Sequence, residues 1–128
     1  MKKILIIAPM FPPPFTGGAC THLLNLVNEL KKLPFKITIF THDLKSRNKF
    51  KIIKKFLHPK ILLYRFPTIS LPRIQYKFIS LRLIIEFLKI KPDIIHAHGY
   101  PFHVIGDLSI FLAHIFGIPI ILTIHAYP

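Results

Sequence analysis

The stretch Met1–Leu30, MKKILIIAPMFPPPFTGGACTHLLNLVNEL, decides how the chain folds. Ile4–Ala8 is an unbroken apolar run, the mark of a parallel strand covered on both faces. Pro12, Pro13 and Pro14 forbid helix and central strand alike, so the chain leaves the sheet as a stiff loop. Gly17 and Gly18 then let the backbone approach a ligand where an amphipathic helix begins. The free N–H groups and positive dipole end of such a helix favour an anion. The third glycine of the GxGxxG dinucleotide fingerprint is absent, so this stretch alone specifies an anion and nothing finer.

Working outward, the first helix is expected from about Ala19 to Lys32, with Leu23, Leu26, Val27 and Leu30 as its apolar stripe. Pro34 closes it, and Lys36–Thr41 (KITIFT) returns as a second strand. The polar, basic stretch His42–His58 reads as a loop holding one short exposed helix. Lys60–Phe66 (KILLYRF) reads as a third strand, after which Pro67 and Pro72 bracket a turn. A second helix is expected from about Ile74 to Ile90, with Phe78, Leu81, Ile85 and Leu88 inward. Pro92 stops it, and Asp93–Ala97 forms a fourth strand. A third helix over about Phe102–Phe116, presenting Ile105, Leu108, Leu112 and Ile115 and capped by Gly117, leads to a fifth strand at Pro119–Ile124. Strands alternating with helices imply an open α/β domain: a mostly parallel, Rossmann-like sheet with helices on both faces and strand order 3-2-1-4-5. That order brings Gly17–Gly18, His98–Gly99 and His125 to the carboxyl ends of neighbouring strands, where such sheets bind ligands.

The 128 residues suffice for one domain, and the lone Cys20 excludes an internal disulfide and fits a reducing compartment. Cys20 lies one turn into an apolar helix and reads as a packing residue. Apolar residues make up 52% and mean hydropathy is +0.48, yet no segment reaches the roughly 18–20 uninterrupted apolar residues of a spanning helix. Ile110–Ala126 comes nearest and is broken by His114, Gly117, Pro119 and His125.

Net charge is +13, and the thirteen basic residues between Lys45 and Lys91 face Glu86 alone. Such a field attracts polyanions, and an anionic membrane surface is favoured over nucleic acid; a purely compositional excess of solvated lysines stays open beside it. Eight histidines raise a metal site, with His96 and His98 on one face and His103 or His125 within reach of sequence pattern. The spacings match no zinc finger and no HExxH, so no metal is expected. His96 reads as a packed or hydrogen-bonded residue, whereas His98 and His125 point to function; His22, His42, His58 and His114 read as surface or helix-face residues. Asp93 opens its strand at the far end from the crevice, which suits a structural role. GxSxG, P-loop and CxxC motifs are all missing.

Taken in order, KILIIAPMFPPPFTGGACTHLLNLVNEL, KITIFT, KPDIIHAHGY and FGIPIILTIHAYP resemble the N-terminal domain of a family-4-like glycosyltransferase, a two-domain retaining enzyme of GT-B fold. The resemblance implies a nucleotide-sugar co-substrate, no metal or other cofactor, and a glycan or lipid-linked acceptor in cell-envelope polysaccharide synthesis. It implies that Gly17 and Gly18 lie beside the donor diphosphate and the acceptor, that His98 and Gly99 line the acceptor side, and that His125 faces the transferred sugar as the catalytic residue. It also implies a cytoplasmic protein, peripheral at the inner membrane face.

Such enzymes have two domains, about twice to three times this length by the usual domain size. Residues 1–128 are therefore expected to be the acceptor-side domain alone, a fragment, split product or subunit, with the donor-binding domain missing or supplied by a second polypeptide. Little or no activity is expected from it alone, and apolar surface is expected where the rest would dock. A non-catalytic membrane- or partner-binding half-domain and an unrelated Rossmann-like nucleotide binder remain the alternatives.

Overall fold

A computed structural model of the chain describes residues 1–8, 11, 18–43, 52–70, 77–79, 82–98 and 104–123. In chain order they form β1 (Lys2–Ile7), α1 (Gly18–Leu30), β2 (Phe35–Asp43), β3 (Ile53–His58), β4 (Ile61–Ser70), β5 (Lys77–Ile79), α2 (Arg82–Ile90), β6 (Ile94–His98), α3 (Val104–Phe116) and β7 (Ile120–Thr123). The sheet runs β3-β4-β2-β1-β6-β7, with β5 paired to the far part of β4. The β4-β2-β1-β6-β7 run is all parallel and carries the 3-2-1-4-5 order expected of five strands. It differs from expectation in the antiparallel additions β3 and β5.

Alternation along each strand divides the core in two. Ile4, Ile6 and Ala8 of the first strand and its exit join Ile37, Ile39, Ile61 and Leu63 beneath α1, which contributes Leu23 and Val27. Leu5, Ile7, Phe40, Tyr64, Phe66, Ile95 and Ala97 face the other way, onto Leu83 and Phe87 of α2 and Leu112 and Ala113 of α3. Helices thus cover both faces. Register locks this arrangement, because a one-residue slip would turn every buried side chain to the wrong face. Phe40 anchors the second layer, edge-on to Phe66 at 4.8 Å and to Tyr64 at 5.3 Å.

Four expectations need correction. The segment expected to hold a short exposed helix contains β3, which folds back on β4 through the turn at Pro59–Lys60. Its apolar residues are spaced like a helix, but the open edge of β4 satisfies its backbone. Pro67 lies within β4, in register with Asp43, rather than opening a turn. The second helix starts at Arg82, because Lys77–Ile79 is taken up as β5. Its inward face is Leu83, Glu86 and Phe87, while Ile85 and Leu88 are exposed. Apolar residues stand at six of the nine positions of RLIIEFLKI, on more than one face, so spacing alone left the face undetermined.

The remaining helices follow the pattern. Gly117 ends α3 with φ of 63°, the left-handed cap that glycine adopts without strain, and Ile118 N–H returns to Ala113 C=O at 2.9 Å. On α3, Leu112 is buried and Leu108 half-buried as expected, but Ile115 is exposed and Ser109 is buried instead. Phe111, Ile115 and Phe116 of α3 are exposed, as are Ile121 and Leu122 on opposite faces of β7. No helix among the described residues is long and apolar enough to cross a membrane.

Candidate functional site

Parallel strands deliver their carboxyl ends to one rim of the sheet, and α1 rises from that rim on one face. β1 ends at Ile7, and Ala8 N–H still bonds Phe40 C=O at 3.0 Å, so the exit of β1 is held against β2. Phe11 is buried, and its carbonyl accepts two N–H groups from the Arg65 guanidinium, both at 3.3 Å. A β4 side chain thereby holds the backbone at Phe11. Gly18 is the first residue of α1, one position before the expected start; Gly17 lies outside the described residues.

β6 places His96 and His98 on the α1 face, in the row that begins with Ile94. Their rings are 4.4 Å apart, and His98 is buried. His22, one turn into α1, brings its ring to 6.3 Å from that of His98. The start of α1 and the end of β6 are therefore neighbours, although 76 positions separate these two histidines. His96 Nε2 shares a 2.7 Å hydrogen bond with Thr123 Oγ1, which joins the carboxyl ends of β6 and β7. His96 is thus the hydrogen-bonded residue that its depth in the strand suggested. Gly99 and His125 lie outside the described residues, as does His103.

Thr41 and Arg65 stand opposite each other in register on this same face. Thr41 is fully buried, and its Oγ1 has no hydrogen-bond partner among the described residues. Burial of a bare hydroxyl is costly unless something else completes it. The rim thus carries Arg65, Thr41, His98, His22 and Thr123 on four strands and one helix. Sequence reading missed Arg65, Thr41 and Thr123. For Arg65 a signal was present in the alternation Ile61, Leu63, Arg65, which sets a charge on the α1 side of a strand.

Other candidates resolve as structure. His42 is buried, contrary to its expected surface place, because β2 extends to Asp43 and sets it on the same face as buried Phe40, in register with buried Phe66. His22 and His114 are exposed, and half-buried His58 accepts Lys60 N–H at 3.2 Å to close the β3–β4 turn. Asp93 lies at the opposite end of the sheet, where its carboxylate accepts Lys3 N–H at 2.8 Å. Burial pushes the Cys20 thiol upward, which suits packing rather than nucleophilic chemistry. Among the described residues no three His, Cys, Asp or Glu side chains gather as a metal-ligand set.

Comparison with known proteins agrees with this fold. The chain is similar over 98% of its length to sucrose-phosphate synthase from Thermosynechococcus elongatus, with TM-score 0.71 and 16% identity. It spans 33% of the length of that protein, and the likeness establishes the fold. None of the curated proteins matches in sequence. The family model described as Glycosyltransferase Family 4 matches residues 16–128, nearly the whole chain, and the chain belongs to that family.

Proposed function

We propose that this chain is the acceptor-side domain of an enzyme that moves a sugar, with retention, from a nucleotide-sugar donor to a membrane-associated or glycan acceptor of the cell envelope. The observation that carries the reading is the approach of His22 on α1 to His98 at the end of β6, within a chain of this family. It draws the helix start that follows the diglycine and one functional histidine toward a common cleft.

In this reading Gly17 and Gly18 let the backbone near α1 approach the donor phosphates and the acceptor. His98 and Gly99 line the acceptor side. His125, two positions beyond Thr123, faces the transferred sugar and hydrogen-bonds it or stabilises its developing positive charge. Arg65 serves indirectly by holding the backbone at Phe11. Protein groups supply positioning and fixed dipoles at the leaving diphosphate, where charge develops, and no metal takes part. Most of the nucleotide is gripped by a second α/β domain, on the same or a second polypeptide; the threefold greater length of the solved relative supports that division. Transfer by these 128 residues alone is then weak or nil. The lone buried Cys20 and the basic surface suit a cytoplasmic protein at the inner membrane face.

Calorimetry of this domain together with the second domain that the reading calls for, against a panel of nucleotide sugars and NAD(P), tests the reading. Heat from a nucleotide sugar that is lost when Gly18 is replaced by Val supports it. A preference for the dinucleotide contradicts it.

A further inference from the structure

The rim between β6 and β7 holds a contact that the proposed transfer leaves unused. His96 and His98 stand two apart on β6 and share the α1 face, with ring centres 4.4 Å apart and planes tilted by 35°. Thr123, the last residue of β7, is the register partner of His98 across the parallel pair. It therefore lies on the same face, one strand over. Its Oγ1 bonds diagonally, to Nε2 of His96 at 2.7 Å. The three side chains thus form a triangle, closed by a hydrogen bond, a ring contact and strand register. His96 and Thr123 are half-buried and His98 is buried, while His22 approaches His98 from the helix at 6.3 Å, ring to ring.

An imidazole left to itself exchanges tautomers and turns about a broad terminal torsion. The Thr123 hydroxyl removes both freedoms from His96. If Oγ1–H donates, Nε2 is bare and the proton sits on Nδ1; if Nε2–H donates, Oγ1 accepts and Nδ1 is bare. Either polarity selects one tautomer and one ring orientation. We propose that His96 and Thr123 are positioning residues for His98: the hydroxyl locks the His96 ring, and that ring sets the plane of the His98 imidazole beside it. Both act through His98 rather than on substrate. The inference rests on the reading of His98 as a residue of the acceptor side, and adds the two groups that hold it there. A hydroxyl of the acceptor needs its imidazole partner within about 0.5 Å of one place, which a ring free to turn does not offer. The hydroxyl of Thr123 is the part that matters. For a β-branched residue that only packs in a strand, valine would serve equally.

Imidazole nitrogen spectra of the full chain, labelled with 15N-histidine and recorded above the ordinary imidazole pKa of about 6.5, decide between these roles. In the parent, the two ring nitrogens of His96 should resolve as one protonated and one bare, the mark of a single tautomer. Thr123→Val keeps the shape of the residue and removes the hydroxyl. It should draw the two His96 signals toward a common average and move those of His98 with them. Thr123→Ser keeps the hydroxyl and should restore both patterns, while His114, on α3, stays unmoved throughout. Averaged His96 signals in the parent overturn the proposal without recourse to any variant. So does the reverse order, with valine matching the parent and serine departing from it, which makes Thr123 a packing residue. His98 signals that ignore Thr123→Val overturn it too. Neither donor nor acceptor enters the measurement, so missing nucleotide-sugar heat in calorimetry would remove the reading of sugar transfer and leave these spectra as they stand.

Discussion

Glu86 is almost fully buried on α2, yet it lies in the most basic part of the chain. Its carboxylate is 3.8 Å from both Lys54 of β3 and Lys89 of its own helix, and the Lys54 ammonium also rests 5.1 Å from the centre of the Tyr64 ring. This cluster fastens the edge hairpin to α2, and it explains why an acid turns inward where an apolar stripe was expected. Lys54→Met should cost about 1 kcal/mol in urea unfolding, since Lys54 is half-exposed and its pairing is partly screened. Replacing both partners, Lys54→Met with Glu86→Leu, should recover that loss, because no buried charge is left behind. Tyr64 gives a pH signature. Burial first, and then the charge of Glu86, raise its phenol above the ordinary 10.0. The fold therefore favours the neutral phenol, whose contribution is complete below pH 10.0 and is lost as pH climbs through the raised value. Alkaline melts of Tyr64→Phe should fall less steeply above pH 10.0 than those of the parent.

Elements differ in how openly their sequences announce them. β1 and α1 were legible because an apolar run, a proline loop and a 3.6-residue stripe each admit one reading, and Leu23 and Val27 are buried as that stripe requires. α3 declared its end through Gly117. At φ of 63°, with open space where a Cβ would stand, Gly117→Ala should cost about 1 kcal/mol through backbone strain alone. A fall of about 4 °C in melting temperature would register it. β3 was illegible for the opposite reason. IKKFLH has neither alternation nor a covered face, since Ile53 through Leu57 are all exposed, and only the free edge of β4 makes it a strand. Tertiary pairing overrode local preference there, as at Lys77–Ile79. At the site, the histidines of β6 were legible from their place at a strand end. Thr41 and Thr123 were not, because a threonine near a strand end stands out only once the neighbouring strands are in place.

On the scale of the whole molecule, topology carries function: the parallel run β4-β2-β1-β6-β7 gathers its strand ends on one rim. The same layout exposes Ile121 and Leu122 on the two faces of the outermost described strand, and Phe111 and Phe116 on α3. Exposed apolar surface at an unpaired strand promotes association. Light scattering of the isolated chain should report concentration-dependent oligomers, and Ile121→Lys with Phe111→Ser should shift it toward monomer. The central claim is that the start of α1 and the imidazoles ending β6 and following β7 border one cleft. Paramagnetic relaxation tests this most directly, with a spin label on Thr21→Cys, exposed in the first turn of α1, in a Cys20→Ala background. The account predicts that the imidazole signals of His98 and His125 broaden together while that of His114, on α3, stays sharp. A His125 signal that stays as sharp as that of His114 would contradict it.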